Sequence, residues 1–401
     1  QLAKKTAERI ASFHQEALAK PQKPQGQWQT TQKLALDNIR ALKRNGRPLF
    51  SAPAQTALEY LSDYTNEFVE QGPSTIERRI EQGFYIDGHG DLRSEHVVVH
   101  NGAIEVLDCL EFNDTLRTLD ALDDIAFLLM DLDYLRRSDF GATVAQEYFA
   151  RLPAVFDQQL LRFYRVYRAL VRAKVTLFRA LQHAQHPASS AYLGPLGDVE
   201  QLLGLACRYA ANAQKPALIV FAGLMGSGKS TLAAYLCTLL RAEHLQTDRL
   251  RKNLFPDHGS GRTDSYGQGL YGADRIEATY DALFAAAREQ LARHSIVVLD
   301  ASFAERRHRV TAQTLARELN ARCIIVHCEI GREEQARRLS TRSTQETVSD
   351  GRLELADAQR HSFVPPNQDE GATLLVVEAG VSTEQQALAV LEKLSETASI
   401  G

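Results

Sequence analysis

ALIVFAGLMGSGKST, residues 217–231, opens with six apolar residues and continues into the octet Gly223-Leu224-Met225-Gly226-Ser227-Gly228-Lys229-Ser230. The apolar run has the length of a buried strand, and Thr231–Arg241 behind the octet reads as a helix. The octet matches G-x-x-x-x-G-K-[ST] in full, in the strand–turn–helix context where that pattern cradles phosphate. Gly223, Gly226 and Gly228 let the backbone turn its N–H groups inward around phosphate oxygens, where a Cβ would obstruct. The helix that starts there adds the positive end of its dipole. In such a loop Lys229 reaches the β- and γ-phosphates and the Ser230 hydroxyl ligates Mg²⁺. The candidate nucleotide-binding residues are therefore Gly223, Gly226, Ser227, Gly228, Lys229, Ser230 and Thr231, and the implied cofactors are ATP and Mg²⁺.

Working outward, strands and helices alternate to the end of the chain. Apolar runs of strand length lie near Ile296–Leu299, Arg322–Cys328 and Thr373–Val377, which predicts a parallel α/β sheet. Asp248, in Thr247-Asp248-Arg249-Leu250-Arg251, falls just past the second strand, at the sheet edge where doubly wound folds bind ligands. It reads either as a base that takes a proton from an attacking hydroxyl or as a helix N-cap. Arg251 is a candidate holder of an anionic substrate group. Val297-Val298-Leu299-Asp300 is an apolar strand ending in a carboxylate, and Asp300 is a candidate Mg²⁺ ligand beside Ser230 or a cap. Arg337, Arg338 and Arg342 precede the polar stretch Ser343–Gly351. Arg338 and Arg342 share a helix face, either as a basic lid over phosphates or as a solvated charged surface.

Residues 217–401 resemble the small P-loop kinases often labelled AAA-type predicted kinases, which include gluconate-kinase-like, polynucleotide-kinase-like and zeta-toxin-like enzymes. The pieces that carry the resemblance are GLMGSGKST, TDRLRKNLF, VVLDASF and ARRLSTR. It implies that Lys229 and Ser230 bind the nucleotide, that Asp248 is the base, and that Arg338 and Arg342 stabilise the phosphoryl group in transfer.

The first half reads as helices over residues 1–80, then a hairpin: Val97–His100, the turn Asn101-Gly102, and Ile104–Leu107. Residues from Thr118 to about Ala180 read as helical, His186–Gly197 as a loop, and Asp198–Ala213 as a further helix. Gly88-His89-Gly90-Asp91 precedes the hairpin, and Asp108 follows Asp91 by 108 − 91 = 17 positions. A carboxylate on a tight loop, then another on a strand, is how protein-kinase-like folds place a base and a metal ligand. This half resembles the carboxyl-terminal lobe of aminoglycoside phosphotransferases, whose H-G-D-x-x-x-x-N motif implies Asp91 as base and Asp108 as metal ligand. The motif's Asn position is His96 here, a poor ligand for a hard cation. No glycine-rich hairpin, strand Lys or helix Glu of a nucleotide-binding lobe precedes residue 80. An inactive or substrate-binding lobe therefore stands beside a second kinase site as a reading of this half. The order of the two halves resembles a fused bacterial family of aminoglycoside phosphotransferase-like, ATP-binding proteins. Arg165, Arg168, Arg172 and Arg179 line one helix face, to pair with Asp120, Asp123, Asp124, Asp131 and Asp133 or to bind an anion.

The expected architecture is a two-domain chain. A mostly α, protein-kinase-like carboxyl-terminal lobe spans 1–213, and an α/β P-loop domain with a parallel sheet spans 214–401. Among 401 residues, 46 Lys and Arg oppose 50 Asp and Glu, a net charge of −4, which weighs against binding to long nucleic acid. Hydrophobic residues at 44% and charged residues at 24% suit a globular chain with a sizeable core. No apolar run is long enough to span a membrane. The chain opens on Gln1 and a polar amphipathic stretch rather than a signal peptide, as expected of a trimmed chain or of one from inside a longer gene product. Cys109, Cys207, Cys237, Cys323 and Cys328 show no metal-binding spacing and read as reduced thiols in the cytoplasm. Three functions fit: an ATP-dependent kinase acting on a small-molecule hydroxyl, an ATP-hydrolysing switch with a ligand-binding first domain, and a nucleic-acid end kinase.

Overall fold

The chain begins with four helices, α1 (Leu2–Leu18), α2 (Gln27–Gly46), α3 (Ala52–Gln71) and α4 (Pro73–Glu81). The computed structural model describes residues 1–111, 113–184, 193–211, 216–255, 272–292, 296–342 and 353–396. After α4 come β1 (Tyr85–Asp87), then the hairpin of β2 (Val97–His100) and β3 (Ala103–Val106). Asn101 and Gly102 turn that hairpin with φ of 51° and 78°, the left-handed pair that a tight two-residue connection requires. Next are α5 (Asp114–Arg117), β4 (Thr118–Asp120), α6 (Ala121–Tyr134), α7 (Ser138–Arg151), α8 (Gln158–Ala184) and α9 (Leu193–Ala210).

Two local expectations change. Thr118–Asp120 is not helical but pairs antiparallel with β1, Tyr85 opposite Asp120. The reason is that Asp120 caps α6: its Oδ1 accepts from Leu122 N at 2.9 Å, and a cap residue needs extended backbone. Gly194 and Gly197, read as loop, lie inside α9. Pro195 sits in its first turn, where a missing N–H removes no helical hydrogen bond. Residues 185–192 of that expected loop are outside the described residues.

α6 organises this first unit. Its cap Asp120 holds Arg79 through two bonds of 2.7 and 2.6 Å. Asp123 holds Arg168 of α8 at 2.7 and 2.8 Å. Asp131 is paired with Arg172, and Arg165 lies 3.9 Å from Asp133. Arg165, Arg168 and Arg172 of α8 are thus spent on ion pairs with α6, and among the described residues Arg179 makes no ion pair with that helix.

The second unit is a separate contact body; the chain divides into Gln1–Ala210 and Ala211–Gly401. The expected boundary near 214 falls among residues 212–215, outside the described residues. The elements are β5 (Ala217–Ala222), α10 (Lys229–Leu240), β6 (Glu243–Gln246), α11 (Thr247–Leu254), α12 (Ala273–Leu291), β7 (Ile296–Asp300), α13 (Arg306–Glu318), β8 (Arg322–Glu329), α14 (Arg332–Arg342), α15 (Leu353–Ser362), β9 (Thr373–Glu378) and α16 (Thr383–Glu396). The sheet is parallel and five-stranded, in the order β6-β7-β5-β8-β9. β5 and β7 are buried at every residue, which is why both read as unbroken apolar runs. From β5 the chain goes to one side of the sheet and from neighbouring β8 to the other, so a crevice opens at their carboxyl ends. Among the described residues no helix is long and apolar enough to cross a membrane.

One buried ion pair fastens α13 across the end of this unit. Arg309, with no exposed surface, donates to Glu370 at 2.8 and 2.5 Å and to the carbonyls of Phe303 and Val364 at 2.7 and 2.9 Å. Truncating one partner leaves the other charge buried and uncompensated. Arg309→Ala should therefore destabilise the second unit by about 3–5 kcal/mol, measured by denaturant unfolding. A loss under about 1 kcal/mol would mean the pair is solvated, as surface pairs are.

Candidate phosphate-binding site

The loop after β5 folds as its glycines demand. Gly223, Gly226 and Gly228 have φ of 146°, 79° and 94°. At Gly223 a Cβ would lie 2.5 Å from the Cys328 carbonyl oxygen at the end of β8, so only glycine fits. Gly223 N donates to Ser302 O at 3.0 Å, which ties the loop to the end of β7 as well. α10 then starts at Lys229, with its first N–H groups facing the loop's hollow. Ser227 is 2% exposed and its Oγ has no hydrogen-bond partner among the described residues. A hollow lined by backbone N–H groups and an unsatisfied buried hydroxyl suits an oxygen-rich anion. Lys229 Nζ donates to Leu224 O at 2.8 Å, which folds the side chain back over the loop.

Asp300 ends β7 next to this hollow and is 5% exposed. Its Oδ2 receives Gln246 Nε2 at 3.1 Å and faces His244 Nε2 at 3.3 Å. Burial disfavours its ionised form, but His244, Lys229 and Ser230 outweigh that and hold the carboxyl below the ordinary aspartate range. Ser230 and Asp300, expected as metal ligands, are thereby brought together. A hydroxyl and an ionised carboxylate are hard oxygen donors of the kind Mg²⁺ takes. Thr231 is exposed one residue into the helix beyond Ser230.

Asp248 lies in the first turn of α11, not at its cap, which is Gln246. Thr247 Oγ1 donates to Asp300 O at 3.4 Å and seats that turn on the sheet edge. Asp248 accepts from Arg251 at 3.2 Å, so the expected base and the expected anion holder face each other. Arg338 on α14 reaches the loop, donating to Gly226 O at 3.4 Å, Ala379 O at 2.6 Å and Glu334 at 2.6 Å. Arg337 turns away to Glu334 on the exposed side. The side chain of Arg342 and the stretch Ser343–Gly351 lie outside the described residues.

Four residues of the site were not legible as such. His244 and Gln246 alternate along β6, hence share the face that meets Asp300, and that period-two polar pair was a usable signal. Gln335 and Gln359 hold Met225 from both sides, at 2.9 and 2.7 Å. Nothing in the helical patterns around them marks a glutamine as buried.

In the first unit Asp91 and Asp108 come to either side of His96, at 3.9 and 3.5 Å. Both Asp91 oxygens are taken by Arg93, at 2.9 and 2.8 Å. Burial alone would raise the Asp91 pKa, but Arg93 holds it low. Asp124 accepts from the N–H groups of His89 and Gly90 at 2.7 and 3.0 Å and fixes the loop from behind. Asp91, Arg93, Tyr134, Arg172, Arg179 and Asp198 help line a cavity of about 420 Å³.

Residues 218–366 match the family model described as AAA domain. An uncharacterised protein of Mycobacterium tuberculosis, and one of Mycobacterium bovis, are each 32% identical over 340 residues, 84% of this chain. The chain spans 66% of the length of those relatives. An alignment of that length extends from the second unit into the first. Among solved structures, a gluconokinase from Sinorhizobium meliloti is 20% identical over 46% of this chain and 96% of its own, with a TM-score of 0.33. The Mycobacterium tuberculosis APS kinase in complex with AMPPNP and APS is 23% identical over 45% of this chain and 98% of its own, with a TM-score of 0.34.

The constraint at Gly223 is directly testable. Gly223→Ala should lower the stability of the second unit by about 1–3 kcal/mol, the cost of a strained φ together with a backbone clash. An unchanged unfolding midpoint would show that the loop does not press on β8.

Proposed function

We propose that the second unit is an ATP-dependent phosphotransferase that moves the γ-phosphoryl group of ATP onto a hydroxyl of a small-molecule acceptor. The observation that carries this reading is the meeting of Lys229, Ser230 and Asp300 around a glycine-lined anion hollow at the sheet's carboxyl edge. The match to the AAA domain supports it. Phosphoryl transfer is mostly positioning and charge stabilisation, which is what these residues supply. The loop N–H groups and Lys229 hold the donor phosphates. Ser230 and Asp300 are the residues to hold Mg²⁺, which when bound neutralises charge on those phosphates. Asp248 accepts the proton of the acceptor hydroxyl as its oxygen bonds to phosphorus and the bond to ADP breaks. Arg251 engages an anionic group on the acceptor, and Arg338 and Arg342 offset charge on the group in transfer. Residues 1–213 and 214–401 are taken as two domains. In the first, Asp91 is occupied by Arg93, which favours a specificity or binding pocket over a second catalytic centre; Asp108 has no metal role in this reading.

A screen of hydroxyl acceptors with labelled ATP tests the assignment, with Lys229→Ala as the blank. Asp248→Asn should retain ATP binding and lose about 10²–10⁴ in turnover, the range for a missing general base. Asp91→Ala should still transfer phosphate. If Asp91→Ala abolishes transfer while Lys229→Ala retains it, the chemistry lies in the first unit and the proposal fails.

A further inference from the structure

Met225, at the outer limb of the phosphate loop, has both of its backbone polar groups bound by side chains from other elements. Its N–H donates to Gln359 Oε1 at 2.7 Å, and its carbonyl accepts from Gln335 Nε2 at 2.9 Å. The orientation of each amide is dictated by chemistry, since a backbone N–H can only donate and a carbonyl can only accept. Gln335 Oε1 in turn accepts from Arg360 at 2.6 Å, and Arg360 also reaches Ile330 O at 3.3 Å. The circuit therefore runs from α15 through Gln335 of α14 to Met225 and back to α15. Gln335 and Gln359 are only 2% and 7% exposed, so water does not substitute readily for either. One turn along α14 from Gln335, Arg338 donates to Gly226 O, the next residue of the loop.

We infer that Gln335 and Gln359 are positioning residues for nucleotide binding: they clamp Met225 so that the N–H groups of Gly226 and of Gly228 to Ser230 stay turned into the hollow, while Ser227 N donates within the loop to Leu224 O at 3.2 Å. This rests on the reading of that hollow as the ATP site. Loops that bind phosphate through backbone N–H groups lose affinity when the backbone is free to choose other conformations, because the ordering entropy then falls on binding. Leaving a buried N–H or carbonyl unpaired adds a desolvation cost in the clamped form.

The clamp has a direction that mere packing would not have. Met225 N–H needs an acceptor, which glutamate supplies as well as glutamine. Met225 O needs a donor, which ionised glutamate cannot supply. Each Glu variant adds one negative charge near the loop, so the difference between them isolates hydrogen-bond polarity. In calorimetric titrations with ATP and Mg²⁺, Gln335→Glu should raise Kd about tenfold more than Gln359→Glu. Gln359→Leu, which removes the acceptor, should fall with Gln335→Glu. Gln335→Met keeps the volume, removes the donor, and should show the same loss; it covers the case in which the buried glutamate does not fold, judged by melting without nucleotide. Equal affinities for Gln335→Glu and Gln359→Glu would overturn the clamp. No ATP binding by the unsubstituted chain would overturn the site reading itself, and the clamp's role with it.

Discussion

The close approach of the β5 loop to the end of β8 is the constraint on which the second unit depends. Gly223 runs so near the Cys328 carbonyl that no side chain fits between them. Because the loop is pressed there, and tied to Ser302 on the other side, it sits across the crevice between strands that lead away in opposite directions. α10 must then begin at Lys229, and its free N–H groups are aimed where an anion would lie. The buried Asp300 stays ionised because a lysine, a hydroxyl and a histidine surround it. Charge, hollow and sheet edge are one arrangement, and loosening the loop would undo all three.

A different principle holds the first unit. α6 presents carboxylates to its neighbours, each matched by an arginine or by backbone N–H groups. Asp120 meets Arg79, Asp123 meets Arg168, and Asp124 meets His89 and Gly90. Such pairs add little net stability over an apolar core, but removing one partner is costly. The result fixes the Gly88–Asp91 loop in place. It leaves Asp91 bound to Arg93, a neighbour whose part was not evident from the sequence.

What the sequence made legible followed from local rules. The phosphate loop, the Asn101-Gly102 hairpin and the buried strands β5 and β7 each carry a signal within a few residues. Asp248 and Asp300 were placed by counting from strand ends. The β1–β4 ribbon has no signal in the sequence because three-residue strands carry no period, and Asp120 is continuous in pattern with the helix it caps. The α8 arginines fit either ion pairs or an anion stripe on sequence alone, and choosing needs the partner helix. Gln335 and Gln359 stayed hidden because their burial is decided by a loop more than a hundred residues earlier.

The claim at the centre of this account is that a nucleotide's phosphates bind at residues 223–231. The direct measurement is the melting temperature of the chain against ATP concentration with Mg²⁺, beside the same series for Lys229→Ala. A ligand that binds the folded state stabilises it by RT ln(1 + [L]/Kd). The account predicts a midpoint that climbs with ATP for the unsubstituted chain and loses most of that climb in Lys229→Ala. An undiminished climb in the variant would place the nucleotide elsewhere and contradict it.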